Sequence, residues 1–204
     1  MCMNNSMCGS GCGCGNKNEC AALGPFEAID AACITTPAAT GSIIPFASGT
    51  VPVVLVALGT GLIGTTSIVG FGTSIPGITL TGTNIDLTAA AGTEAFSVPR
   101  AGTITSISAS LSATVAVTIV GSATVRAQIY RAVAGSNVFS PTTAFVDLAP
   151  ALSTIAVGTI TFGTANVTPV PVAAGDRLLM VFSVTTSGVA ATVTGNASAG
   201  INIV

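Results

Sequence analysis

From Ile107 to Ile119 the chain reads ISASLSATVAVTI, and every odd position is apolar: Ile107, Ala109, Leu111, Ala113, Val115, Val117 and Ile119. The even positions are Ser, Ser, Ser, Thr, Ala and Thr. Successive side chains of a strand point to opposite sides, so period two predicts a strand over 107–119 with one buried face. Residues 122–133, SATVRAQIYRAV, repeat the logic. Val125, Ala127 and Ile129 fall on one side, with Arg126, Gln128 and Tyr130 on the other. Residues 175–186, GDRLLMVFSVTT, break it. Leu178, Met180, Phe182 and Val184 form one apolar face, and Leu179 and Val181 form a second. A strand apolar on both faces lies between the core and a second layer, or between the core and a partner subunit. Leu179 and Val181 are on this ground the candidate trimer interface.

Further strands are predicted near 42–47, 51–57, 65–71, 78–87, 94–98, 139–147, 155–162, 166–171 and 190–203. Gly-Thr, Gly-Ser, Ser-Gly and Pro pairs punctuate them. No long amphipathic helix is written anywhere, and Thr, Val and Ile dominate, so the composition is that of an all-β sandwich or jelly roll. No fixed repeat and no Gly-X-Y tract occurs. Three regions separate: 1–20, a Cys/Gly-rich connector arm; 21–41, a linker in which PFEAIDAAC suits one helical turn; and 42–204, the jelly-roll domain.

Composition sharpens this picture. Half of the residues are hydrophobic and only 6% are charged, against roughly 25% in an average soluble domain. A surface so poor in charge favours association over dispersion. With a net charge of −2 and scattered cations, the chain has no basic patch for nucleic acid. The uncharged stretch from Val51 to Gly72 is long enough to span a bilayer. Its recurrent glycines, Pro52 and the lack of flanking Lys, Arg, Trp or Tyr point instead to strands. The start has neither a basic n-region nor an apolar h-region, so no secretory signal is expected.

Candidate chemistry is sparse. There is no histidine, which removes the commonest general base and zinc ligand and rules out a Ser/His/Asp triad. The seven carboxylates, Glu19, Glu27, Asp30, Asp86, Glu94, Asp147 and Asp176, stand in no recognisable motif and read as turn residues or ion partners. GTGLIG and GFGTSIPG lack the GK[ST] ending and following helix of a phosphate loop, and read as turns. No enzyme, cofactor or resident metal is expected.

The one concentrated feature is MCMNNSMCGSGCGCGNKNEC. Cys2, Cys8, Cys12, Cys14 and Cys20 lie in it, and Cys33 follows in the linker. The spacing contains no C-x2-C, so paired zinc knuckles cannot be written. Soft-metal binding, disulfides inside the segment, disulfides between subunits and free thiols remain. A flexible Gly-rich arm best suits the third, because it lets thiols reach a neighbouring folded body. Such bonds need an oxidising setting.

Several blocks carry a resemblance. They are GSIIPFASGT (41–50), GLIGTTSIVGFGTSIPG (61–77), IDLT with AFSVPRAGTITSISASLS (85–112), VRAQIYRA (125–132), LAPAL (148–152), GDRLLMVFS (175–183) and ASAGINI (197–203). In this order they resemble the C-terminal domains of collagen-like exosporium glycoproteins of Bacillus-type spores, the BclB-related group. The resemblance implies a jelly roll of the complement and tumour-necrosis-factor type, a compact homotrimer and a non-enzymatic place at the spore surface, among other coat or exosporium proteins. It also implies synthesis in the mother cell, without a signal peptide, and exposure after lysis. Those glycoproteins carry a collagen-like stalk where this chain has the cysteine arm. The expected role is therefore a trimer stacked into a fibre or appendage through the arm. The alternative is a surface or tip protein that binds a glycan or host protein through loops such as Gly135–Thr143.

Overall fold

The computed structural model describes residues 22–23, 28–29, 41–59, 61–89 and 94–204. The chain divides into two units, Met1–Thr40 and Gly41–Val204. In the first, β1 (Ala22–Leu23) pairs antiparallel with β2 (Ala28–Ile29). Ala28 and Ile29 are thus extended, where the sequence suggested a helical turn. All six cysteines lie outside the described residues.

The second unit is an all-β jelly-roll sandwich. Its strands are β3 (Ser42–Ala47), β4 (Val53–Gly59), β5 (Leu62–Val69), β6 (Ser74–Ile78), β7 (Ile85–Asp86), β8 (Phe96–Ser97), β9 (Gly102–Ala113), β10 (Val117–Ala132), β11 (Val138–Asp147), β12 (Leu152–Ile155), β13 (Ile160–Val172), β14 (Arg177–Thr186) and β15 (Ala191–Ile203). The first sheet runs β13-β9-β15, and β3 and β4 both pair with β15. The second runs β5-β14-β10-β11-β7. All these pairings are antiparallel. The sandwich core is built from the period-two faces: Ile107, Ala109 and Leu111 of β9 meet Val125, Ala127 and Ile129 of β10, and Leu178, Met180 and Phe182 of β14.

The sheets are joined by β5. Thr65 near its start still pairs with Val56 of β4, whereas Ser67, Ile68 and Val69 pair with β14. Where β5 leaves β4, Val54 loses its ladder partner. The Ser67 hydroxyl replaces it, accepting the Val54 N–H and donating to the Val54 carbonyl, both at 3.0 Å. Ser67 is fully buried, so this contact answers the need of every enclosed backbone group for a partner.

The predicted strand over 107–119 is two strands. The chain turns at Thr114–Ala116, and Val115 is exposed. Alternation persists through the turn because Val117 and Ile119 return to the core from the next strand. The predicted strand at 155–162 is split by a turn at 156–159 between β12 and β13, its second half and the predicted strand at 166–171 are the single β13, and 78–87 is mostly irregular. GTGLIG contains the β4–β5 turn, where Gly59 and Gly61 take φ of 130° and 77°, open to glycine and costly to other residues.

Leu179 and Val181 are not a subunit face. They are 0% and 1% exposed within the single chain. Residues 78–87 cover them. Ile85 and Leu87 from that segment pack with Leu179, Val181, Ile68, Tyr130 and Phe139 in a second hydrophobic cluster. The second layer is the chain's own.

Leu179→Ala is expected to lower unfolding free energy by about 3 kcal/mol while leaving the oligomeric state unchanged, measured by denaturant melts and sedimentation. Ser67→Ala, which strands both polar groups of Val54, is expected to cost about 2 kcal/mol in the same melts.

Candidate functional site

With Leu179 and Val181 enclosed, the open apolar surface lies elsewhere. The outer face of the first sheet is formed by the even positions of β9 and their registered neighbours. Ser108, Ser110 and Ser112 lie beside Gly200, Ser198 and Asn196 of β15. On the far side Ser110 pairs with Phe162 and Ser112 with Ile160 of β13. Beyond β15, Pro45 and Ile43 of β3 oppose Gly200 and Asn202. No residue named here carries a charge. The small side chains make the face flat, and they satisfy one another: Ser110 and Ser198 hydroxyls lie 3.0 Å apart, and Ser108 and Thr164 hydroxyls 2.8 Å. A shallow groove of about 210 Å³ runs between Ser108, Ser110, Ser198 and Gly200, with Phe162 on its flank. Phe162 is 64% exposed and Ile43 77%.

A second uncharged region is one end of the sandwich. There the β4–β5 turn, the turn at 114–116, the β12–β13 turn and the β14–β15 turn come together. They are tied by Gly61 N–H to the Thr186 carbonyl, Gly158 N–H to Ala113 and Thr114 N–H to Thr194. Leu58, Leu62, Val115, Val120, Val157 and Val189 are exposed there. The opposite end holds Arg100, Asp176 and Arg177, and it is also where Gly41 enters and Val204 leaves, beside Thr103.

Three of the described carboxylates, Asp86, Asp147 and Asp176, serve structure. Asp176, 3% exposed, accepts the Ala173 N–H at 2.8 Å in the turn that opens β14 and forms an ion pair with Arg131 at 2.8 Å. Asp147 holds Arg126 by two contacts, at 2.7 and 2.8 Å, and Arg126 stacks on Phe145. Asp86 accepts from the Thr88 hydroxyl and from its N–H, which hold its carboxyl below the usual range. No group of three or more metal-ligating side chains gathers among the described residues, and no helix among them is long and apolar enough to cross a membrane. The candidate binding loop Gly135–Thr143 is largely strand: β11 begins at Val138, and Arg177 engages the Asn137 side chain at 2.6 Å.

Collagen-like protein 1 of Acanthamoeba polyphaga mimivirus is 36% identical over 152 residues, which cover 69% of this chain. The match covers 16% of that protein's own length. The chain is thus similar to one segment of a collagen-like protein, although it contains no Gly-X-Y tract itself. Among solved structures, Eiger TNF from S. frugiperda aligns over 79% of this chain and 94% of its own, at 11% identity and a TM-score of 0.30. No family model matches.

The sequence reading missed the open face because serine alternation looks the same whether the polar side meets water or a partner. The available signal was Ile160 and Phe162, large apolar residues with Thr161 between them facing the core.

One titration follows from the burial of Tyr130. Burial pushes its phenol above the ordinary value of 10.0, and the Arg126 cation only partly offsets this. The folded state holds the proton more tightly than the unfolded chain, so this contribution is intact below 10.0 and lost as pH rises through the folded value. Because Tyr130 is the one tyrosine, its phenolate absorbance should rise at higher pH in the native than in the denatured protein, and Tyr130→Phe should lack the matching stability loss.

Proposed function

We propose that this chain is a non-catalytic structural protein of a spore-surface layer or appendage, assembling as a homotrimer through the outer face of β3, β15, β9 and β13. The observation that carries this reading is that face: flat, uncharged, grooved, and flanked by exposed Ile43, Ile160 and Phe162. Lack of charge and exposed large apolar side chains are features of an interface centre, here supplied by Ile43, Ile160 and Phe162 around the serines. A closed ring of three is heterologous, so each copy presents one part of its surface to one neighbour and another part to the next, and closure leaves neither free. The kinship with a collagen-like protein supports a structural or surface role. The spore-surface location and the trimer rest on the resemblance to exosporium glycoproteins.

The two ends of the sandwich support stacking. The end where Gly41 enters carries charges, and the opposite end offers exposed Leu58, Leu62, Val115, Val120, Val157 and Val189 without one. Trimers meeting end to end would cover that apolar surface, and the connector of each copy, with Cys2, Cys8, Cys12, Cys14, Cys20 and Cys33, would join successive trimers by disulfides. This places the expected cross-links between bodies, where they add strength without altering the core.

Sedimentation of the purified full chain should give trimers or stacks of trimers. Ser110→Arg, which buries an unpaired charge at the face centre, should weaken assembly at least a hundredfold, about 3 kcal/mol, without unfolding the domain. Electron microscopy under oxidising conditions should show filaments. Non-reducing gels should show ladders that vanish with reductant or when all six cysteines are Ser. Monomers at high concentration would overturn the trimer, and discrete trimers alone would overturn the fibre.

A further inference from the structure

A cleft lies open on the outer side of the second sheet. It has a volume of about 650 Å³, within the range of small-ligand sites. One wall is the start of β5, from Gly61 to Gly64, and the other is the β6–β7 connection, from Thr79 to Thr83. Its floor is the outer side of β10 and β11, with Gln128, Tyr130 and Pro141.

Two polar groups on the floor have unused capacity. Tyr130 is 6% exposed, and its hydroxyl makes no hydrogen bond among the described residues, though it keeps contact with solvent at the cleft. A buried phenol ordinarily finds a partner. The Gln128 amide donates to the Thr142 carbonyl at 2.7 Å, which leaves its own carbonyl oxygen free to accept. Thr79 and Thr83 add exposed hydroxyls at the rim, while Leu62 and Leu80 present apolar surface between them.

The lining is uncharged. Arg126, two residues from Gln128 on the same strand face, is already neutralised by Asp147. An anion or a cation would therefore find no counter-charge. A wholly apolar ligand would leave the Tyr130 hydroxyl and Gln128 carbonyl unpaired, which costs free energy. A ring with hydroxyls around its edge and C–H groups on its faces satisfies both kinds of surface.

We propose that this cleft binds a neutral polyhydroxylated ring, a hexopyranose unit of a saccharide, with Tyr130 and Gln128 as its hydrogen-bonding floor. The proposal does not rest on the trimer face, which lies on the first sheet, whereas the cleft lies on the second; Leu62 on its wall also belongs to the end proposed for stacking.

The protein carries its own reporter. Tyr130 is the one tyrosine and there is no tryptophan, so intrinsic fluorescence of the full chain reads this phenol. Titration with the methyl α-glycosides of D-glucose, D-mannose and D-galactose should give a saturable change with at least one. Glucose 6-phosphate and cyclohexanol should give none. Saturation-transfer NMR should show the same selectivity. By that readout Tyr130→Phe should weaken binding about fivefold, the loss of one neutral hydrogen bond. Thr83→Arg, at an exposed rim position, should block it while leaving the melting curve unchanged. The proposal is overturned if none of the three glycosides changes fluorescence or receives transfer. It is equally overturned if both variants bind as the wild type does, or if cyclohexanol binds as well as the glycosides.

Discussion

Strand β14 is apolar on both faces, and everything else in the domain is arranged around covering it. Its even positions, Leu178, Met180, Phe182 and Val184, fill the space between the sheets. Its odd positions, Leu179 and Val181, need a layer outside the sheet, and burying each is worth about 2 kcal/mol. Residues 78–87 supply that layer through Ile85 and Leu87. The commitment has two results. The outer side of β14 in the second sheet is covered by its own chain, with the cleft beside Gln128 and Tyr130 at the margin of that cover. The first sheet receives no such cover, and its outer face is left to small hydroxylated residues and the flanking Phe162 and Ile160.

The switch of β5 between sheets is what lets one chain build both layers. A strand that changes partners leaves backbone groups behind, and a water molecule cannot reach them where Ser67 is fully buried. A single hydroxyl, placed to donate and accept at once, closes the gap at Val54. Close packing elsewhere is equally specific. At Gly49 a side chain would collide with the backbone of Gly72, so two loops approach there that no other residue would allow. The few charges are used in the same local way, as Asp147 with Arg126 and Asp176 with Arg131.

Much of this was legible in the chain. Strand β3 matches its predicted span and β15 falls within one residue of it, because their alternation is bounded by clear turn residues. The two-sided character of β14 was equally plain, and so was the choice between a second layer and a partner. Deciding that choice required knowing where residues 78–87 travel, and a stretch with little regular structure leaves no periodic trace. The turn at Thr114–Ala116 was hidden for the opposite reason: its residues continue the alternation of their neighbours. The open face was hidden because register across four strands, not pattern along one, brings Ser110, Ser198 and Phe162 together.

The pairing of Ser42 with Ile203 has its own consequence. The first and last strands of the domain lie side by side, and the Thr103 N–H and carbonyl both bond Val204, one turn of chain from Gly41. The domain is therefore close to a closed circuit, and a cut at an exposed turn of that circuit would leave the strand pairings of the core in place. A short bridge from Val204 to Gly41, with new ends opened in the uncharged turn at 187–190, would keep every strand and its neighbours in place. It would also move the attachment point of the connector to the opposite pole, reversing the direction in which such bodies could be strung together.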